Sequence, residues 1–478
     1  MALQSTTPSP EPRHQGVAPR AEVSVGFLSA YFSMYEAQME PDFKSSRLHA
    51  AQRAQEALAA HFSVTNLGIL QSSFDGESAA TQMRAIDPDC VVYSPSMVAP
   101  GEWAMRALEK CDAPVVVWNA IQIAELPSQL SHAQSTVNTS TVGCLMLANL
   151  LSRRERPFCV VTASPQDPAQ MSVLVRTIRA AAATRRLRKA RFLRIGGVIP
   201  GYDDVEASDD ELKRLGVAAV LTIGPVELND YVHSSRSVSP DEMDPFVAQW
   251  SKEFAAHGPS LELADALCRL VRDRNAAGGT VNCHGPYFRD NDVIGIPACL
   301  AVSVLTAQNI PFSCTGDLPA AMALFLAKFL SGRAQYCEFY TPDLTNGHVL
   351  LAAGGEGDPA WAADGTLQVR ANELYPGVRG PGDGVQFALE PGRATLLSMS
   401  PRGGGWRLAW ATGVIDAKSH ADLGGPNGYF RFDRTPVEQA TSEWLQAGTT
   451  HHHALARGDL DIEIPILATF LTLDTVRV

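Results

Sequence analysis

The chain shows two textures of hydrophobic patterning. From Val23 to about Ser331, short apolar runs recur: VSVGFL (Val23–Leu28), Leu67–Leu70, DCVVY (Asp89–Tyr93), PVVVW (Pro114–Trp118), PFCVVT (Pro157–Thr162), RFLRIG (Arg191–Gly196) and Ala218–Ile223. Between them lie stretches with apolar residues at helical spacing, such as Leu48, Ala51, Ala54 and Leu58 within Lys44–His61. Runs of this kind read as strands buried on both faces, and the 3.6-residue periodicity marks helices that cover them. Further helices are predicted at Gly76–Ala85, Pro168–Ala183, Asp209–Leu215, Val247–Ala256 and Leu261–Asn275. Strands alternating with helices predict parallel sheets clad on both sides. After Ser331, glycine, proline and short β-rich runs dominate: His348–Ala352, Thr366–Val369, Gln386–Leu389, Ala394–Ser400 and Trp406–Ala411. Their roughly ten-residue spacing predicts an antiparallel sheet or barrel. A last helix is predicted at Val437–Gln446.

The fold class is therefore α/β: two Rossmann-like parallel-sheet domains followed by a β-rich, barrel-like C-terminal domain. Boundaries are placed at residues 21–150, 151–330 and 331–478. Residues 1–20, rich in Pro, Ser and Arg without an apolar core, read as a disordered tail.

Composition narrows the function. A net charge of −12 argues against nucleic acid as the main partner. No run approaches the roughly 18 apolar residues of a membrane span. Nine scattered cysteines without a CxxC pair read as reduced thiols of a cytoplasmic protein. The basic run Arg176–Arg194 reads as a solvated helix and loop, or an oligomer contact, because no phosphate-cradling glycine loop accompanies it. RIGGVIPGY (Arg194–Tyr202) has the wrong spacing for a dinucleotide fingerprint.

Chemistry concentrates in Val281–Trp361 and Ala447–Asp461. CTGD (Cys314–Asp317) lies between a strand and a helix, so Asp317 reads as a helix cap or as an acid/base. Glu338, among the aromatics of YCEFYTP, suits proton transfer. In an extended HHH run, His451 and His453 share one side and His452 takes the other. His284 and Tyr287 are candidate binders of hydroxyls, and His348 reads as structural. Glu356 and Asp358, in GGEGD, read as a solvated turn within reach of a ligand.

The order of these segments (CTGDLPAAM before a helix, CEFYTPD, a strand ending in a glycine pair, a late His pair, and RIGGVIPGYDD upstream) resembles the L-fucose/L-arabinose isomerase family. The resemblance implies two α/β domains with a β-rich third, hexameric assembly, and aldose–ketose interconversion with a divalent metal such as manganese. It implies four ligand positions, which fall on Thr315, Glu338, Ala353 and His452. Only Glu338 and His452 keep a ligand side chain; threonine is a poor ligand for a hard dication and alanine is none. A depleted metal site calls for another electron sink. The favoured reading is thus a redox-neutral dehydratase or epimerase of a sugar or sugar-bearing molecule such as a nucleoside. It would oxidise the sugar transiently with bound NAD, with Glu338, His452 and Asp317 as acid and base and with His284, Tyr287, Thr315 and His451 contacting substrate. The alternatives are a metal-dependent ketol isomerase whose site is rebuilt with Glu356, Asp358 or His451, and a non-catalytic sugar-binding protein.

Overall fold

The computed structural model describes residues 22–130, 135–239, 242–253, 258–417 and 423–478; the expected N-terminal tail lies outside them. Three sheets carry the architecture. The first is parallel and five-stranded, in the order β2 (Ser63–Leu70), β1 (Ser24–Ala30), β3 (Cys90–Tyr93), β4 (Val115–Ala120), β5 (Phe158–Ala163). Its central strands β3 and β4 are buried along their whole length, which their unbroken apolar runs require. The PFCVVT run was expected to open a second unit. It instead forms β5 at the edge of the first sheet, with Val115 opposite Phe158 and Ala120 opposite Ala163. The crossover is made by helix Ser140–Arg153, which buries Gly143, Cys144, Leu147 and Leu151 against the same layer.

Helix Pro168–Lys189, capped by Asp167, leads to the second sheet. This sheet is also parallel, in the order β7 (Ala219–Ile223), β6 (Arg191–Ile195), β8 (Gly278–Val281), β9 (Phe312–Cys314). The third sheet is a closed antiparallel ring of β14 (Gly392–Arg402), β17 (His452–Arg457), β10 (Ala334–Asp343), β11 (His348–Ala352), β16 (Asn427–Phe432) and β15 (Gly405–Ile415), sealed by pairing of β15 with β14. β18 (Leu473–Arg477) adds to β15 in parallel, and β12 (Gln368–Ala371) pairs with β13 (Asp383–Gln386) beside the barrel. The α/β sheets followed by a β-barrel are the predicted class.

Helix Leu318–Ser331 packs on both the second sheet and the barrel, and one continuous apolar core runs through them. Lys328 on this helix is buried and binds the buried Asp358 carboxylate at 2.6 Å. Asp358 was expected in a solvated turn; it is instead an internal counter-ion that also accepts from the backbone N–H of Ala334.

The basic run, though partly exposed, is largely engaged in ion pairs within the chain. Arg185, itself buried, pairs with Asp87 and Asp112 across to the first sheet. Arg186 pairs with Asp89, Lys189 with Asp87, and Arg176 forks onto Glu463 near the C-terminus. These cations hold the long helix to the layers on either side of it. No helix among the described residues is long and apolar enough to cross a membrane.

Candidate active site

The carboxyl ends of β8 and β9 face the mouth of the barrel across a cavity of about 140 Å³. In parallel α/β sheets this end of the strands is where ligands bind. β8 delivers Cys283 and His284, and β9 delivers Cys314 and Thr315. The turn after β9 is tight: Thr315 holds φ +58° and Gly316 +92°. A Cβ on Gly316 would lie 2.2 Å from the Gly197 carbonyl oxygen, so only glycine fits there.

From the barrel, β10 contributes Tyr336, Glu338 and Tyr340, alternate residues that share one face of the strand. Glu338 stands opposite His452 of the neighbouring β17 and opposite Ala352 of β11. His452 is buried, with Nδ1 3.0 Å from Asp317 Oδ2 and its ring 5.1 Å from that of Tyr336. Asp317 serves both readings made for it. Its Oδ1 accepts the Ala320 N–H at 2.7 Å, capping the helix, while Oδ2 orients the imidazole. Burial drives the Asp317 carboxyl upward, opposed by the attached His452 ring.

Glu356 enters from the loop after β11 and is buried, not solvated as expected from its glycine-rich surroundings. Burial pushes its carboxyl up to about 8. The Tyr336 hydroxyl is buried without a hydrogen-bond partner. Such a group on a cavity wall is a donor ready for a ligand oxygen. His284, half-buried, meets the Tyr375 ring edge-to-face with centroids 4.3 Å apart, and burial lowers its tendency to protonate.

Two histidines fall differently from the extended-run expectation. β17 begins only at His452, so His451 lies outside the strand's alternation. It turns toward the same cavity, 3.8 Å from the His452 ring, and binds Asp204 at 2.7 Å. His453 faces away and accepts from Trp444 Nε1 at 2.9 Å. Tyr287 does not line the cavity; its hydroxyl donates to the Ile223 carbonyl. His348 is buried beside Tyr429 at the start of β11. Sequence reasoning overlooked Tyr202, Tyr336, Tyr340, Tyr375 and the thiols. The aromatic alternation about Glu338 was a usable signal for Tyr336 and Tyr340. Tyr202 and Tyr375 come from separate loops and carried none.

The barrel segment, residues 333–473, matches the family model described as the L-arabinose isomerase C-terminal domain. Similarity extends well beyond it. A sulfoquinovose isomerase of Alkalicoccus urumqiensis is 23% identical over 431 residues, 86% of this chain and 90% of that protein. The chain is distantly similar to the L-fucose/L-arabinose isomerase family. A second sulfoquinovose isomerase, from Priestia aryabhattai, is 24% identical over 81% of this chain and 85% of its own. An L-arabinose isomerase of Acidothermus cellulolyticus is 24% identical over 72% and 70%. These similarities support a carbohydrate-modifying enzyme with an isomerase fold. The relatives lend no support to nicotinamide-assisted dehydration or epimerisation and favour the isomerase alternative.

The family's hard dication does not fit this donor set. Ala353 offers no side-chain ligand, and its N–H is spent on the Pro426 carbonyl. Thr315 Oγ1 sits 3.4 Å from each ring nitrogen of His452, whose Nδ1 is already engaged by Asp317. Among the described residues, the oxygen and imidazole donors of Glu338, Glu356 and His452 do not gather within 4.8 Å of one another; only Cys283, His284 and Cys314 do. Manganese-class ions favour oxygen-rich shells, and this one is not.

Proposed function

We propose that the protein is an aldose–ketose isomerase that moves a proton between neighbouring carbons of a sugar. The observation that carries this reading is the opening of Glu338, Glu356 and the His452–Asp317 pair into one small cavity. A ketol shift needs a base for the carbon-bound proton, an acid for the carbonyl oxygen and a group that moves a proton between the two oxygens. Glu338, half-buried on β10, takes the proton from C2. The electron pair forms the C1=C2 bond of an enediol while the carbonyl oxygen accepts a proton from Glu356, which burial keeps protonated at neutral pH. The Tyr336 hydroxyl donates a hydrogen bond to the same oxygen. His452, held by Asp317, takes the O2 proton. Glu338 returns its own proton to C1, and the proton held on His452 passes back to Glu356, so no external redox partner is consumed.

The substrate named for the nearer-length relatives carries a sulfonate. Here the described cavity wall has two carboxylates and neither lysine nor arginine, which favours a neutral aldose. The test is proton NMR of aldoses incubated with the enzyme in deuterated water. Ketose formation with deuterium at the carbon that receives the proton supports the reading. A deoxysugar product, or ketose formed only with sulfoquinovose, goes against the reaction class or the substrate class respectively.

A further inference from the structure

We propose that Cys283, His284 and Cys314 form a site for one thiophilic divalent cation of the zinc type, with its remaining coordination open to the sugar cavity. The site's existence stands apart from the proposed isomerisation; only the ion's role in polarising the sugar carbonyl rests on that reading.

The three donor atoms all lie within 4.8 Å of one another, and all three residues line the cavity. Two come from adjacent strands. Val281 of β8 pairs with Cys314 of β9, and Cys283 follows two residues later. The Sγ atoms stand 4.0 Å apart. That is about twice a disulfide's roughly 2.05 Å bond. It is close to the about 3.8 Å between two thiolates on a tetrahedral ion with Zn–S bonds of about 2.3 Å. Sulfur and imidazole select zinc-class ions over manganese or magnesium. Three protein ligands with one open position is the arrangement of catalytic zinc rather than structural zinc.

The location adds a second argument. Cys314 ends β9 on the cavity wall, immediately before the turn at Thr315–Gly316. The strained turn at Thr315–Gly316 fixes where that residue points. An ion on these ligands would be a Lewis acid in the cavity that Glu338 and Glu356 also line. Cysteine spacing alone hid the site, because its ligands are one adjacent Cys–His pair and a cysteine far along the chain.

The experiment uses the full chain, purified under reducing conditions and stripped with a chelator. Zinc binding is read by competition with a chromogenic chelator, and cadmium binding by thiolate-to-metal charge-transfer absorption. One ion per chain is expected, with zinc preferred over manganese by about 100-fold or more. Cys283→Ser and Cys314→Ser should each lower zinc affinity by at least about tenfold and weaken the cadmium band. His284→Asn, at a half-buried position, should lower zinc affinity while keeping that band, and Cys268→Ser should change neither. Circular dichroism of each variant guards against reading misfolding as lost ligation. The site is overturned by a preference for manganese, by cysteine variants that bind zinc normally, or by a Cys283–Cys314 disulfide in the active enzyme. Because binding is read without sugar, zinc held by these ligands in a protein without ketol isomerase activity would sink the proposed function and leave the site standing. Full isomerase activity in zinc-free enzyme would remove the ion's catalytic role.

Discussion

At the scale of single residues, the decisive contrast is between two carboxylates on one cavity. Glu338 is half-buried on a strand, while Glu356 is buried and held up at about 8. Glu338→Gln should lower kcat/KM by roughly 10²–10⁴-fold while leaving unfolding free energy within about 0.5 kcal/mol, measured by steady-state kinetics and denaturant titration. Glu356 makes a pH-dependent contribution whose sign is fixed. Its folded value lies above the ordinary 4.5, so between 4.5 and about 8 the folded state holds a proton that the unfolded chain has released. Its stabilisation is full at the acid end of that window and is lost as pH rises, at up to about 1.4 kcal/mol per pH unit. Denaturant titrations across the window should show a shallower decline for Glu356→Gln than for the parent. The alkaline limb of kcat/KM near pH 8 should disappear in the same variant, with a lower plateau.

Asp317 was readable from its strand-to-helix boundary and Glu338 from its aromatic surroundings, while His452 was singled out by the family resemblance. Glu356 was not. Glycines on both sides of it look like a surface loop, but the preceding Gly355 is packed against Cys299, Asn372 and Gly384 of the β12–β13 hairpin.

At the scale of elements, helix Leu318–Ser331 matters most, because its N-cap Asp317 holds His452 and its last turn carries the buried Lys328. Lys328→Met should cost about 3–5 kcal/mol in urea unfolding, since it strands the Asp358 carboxylate in the core. Gly316→Ala, at the start of the same segment, should also destabilise and should reduce activity more than an alanine elsewhere, because the turn that aims Thr315 must open. Strand and helix types were largely legible from periodicity. Helix Val437–Gln446, for example, matches its predicted span. Sheet membership was not. The PFCVVT run looks the same whether it starts one sheet or ends another, and the answer lay in the crossover helix Ser140–Arg153, whose apolar pattern was not read as a helix.

At the scale of the whole molecule, the three layers are tied by cations on one long helix. Arg185, buried between Asp87 and Asp112, also donates to the carbonyl oxygens of Asp87 and Pro88. Arg185→Ala should lower unfolding free energy by about 1–3 kcal/mol, with most of the loss from orphaned carbonyls rather than the solvent-facing aspartates. Charge composition revealed the basic run, but its intramolecular partners lie far along the chain and left no local trace.

The ladder that sets Glu338 opposite His452 has a consequence for how such an enzyme diversifies. Both groups are anchored in a closed ring, so a one-residue insertion in either strand would turn its side chain to the opposite face, away from the cavity. Tyr202 and Tyr375 sit on loops outside that ring and pack against His451 and His284 rather than against Glu338 or His452. New sugars would therefore be acquired by rewriting the loops, around a proton-moving frame that tolerates almost no drift.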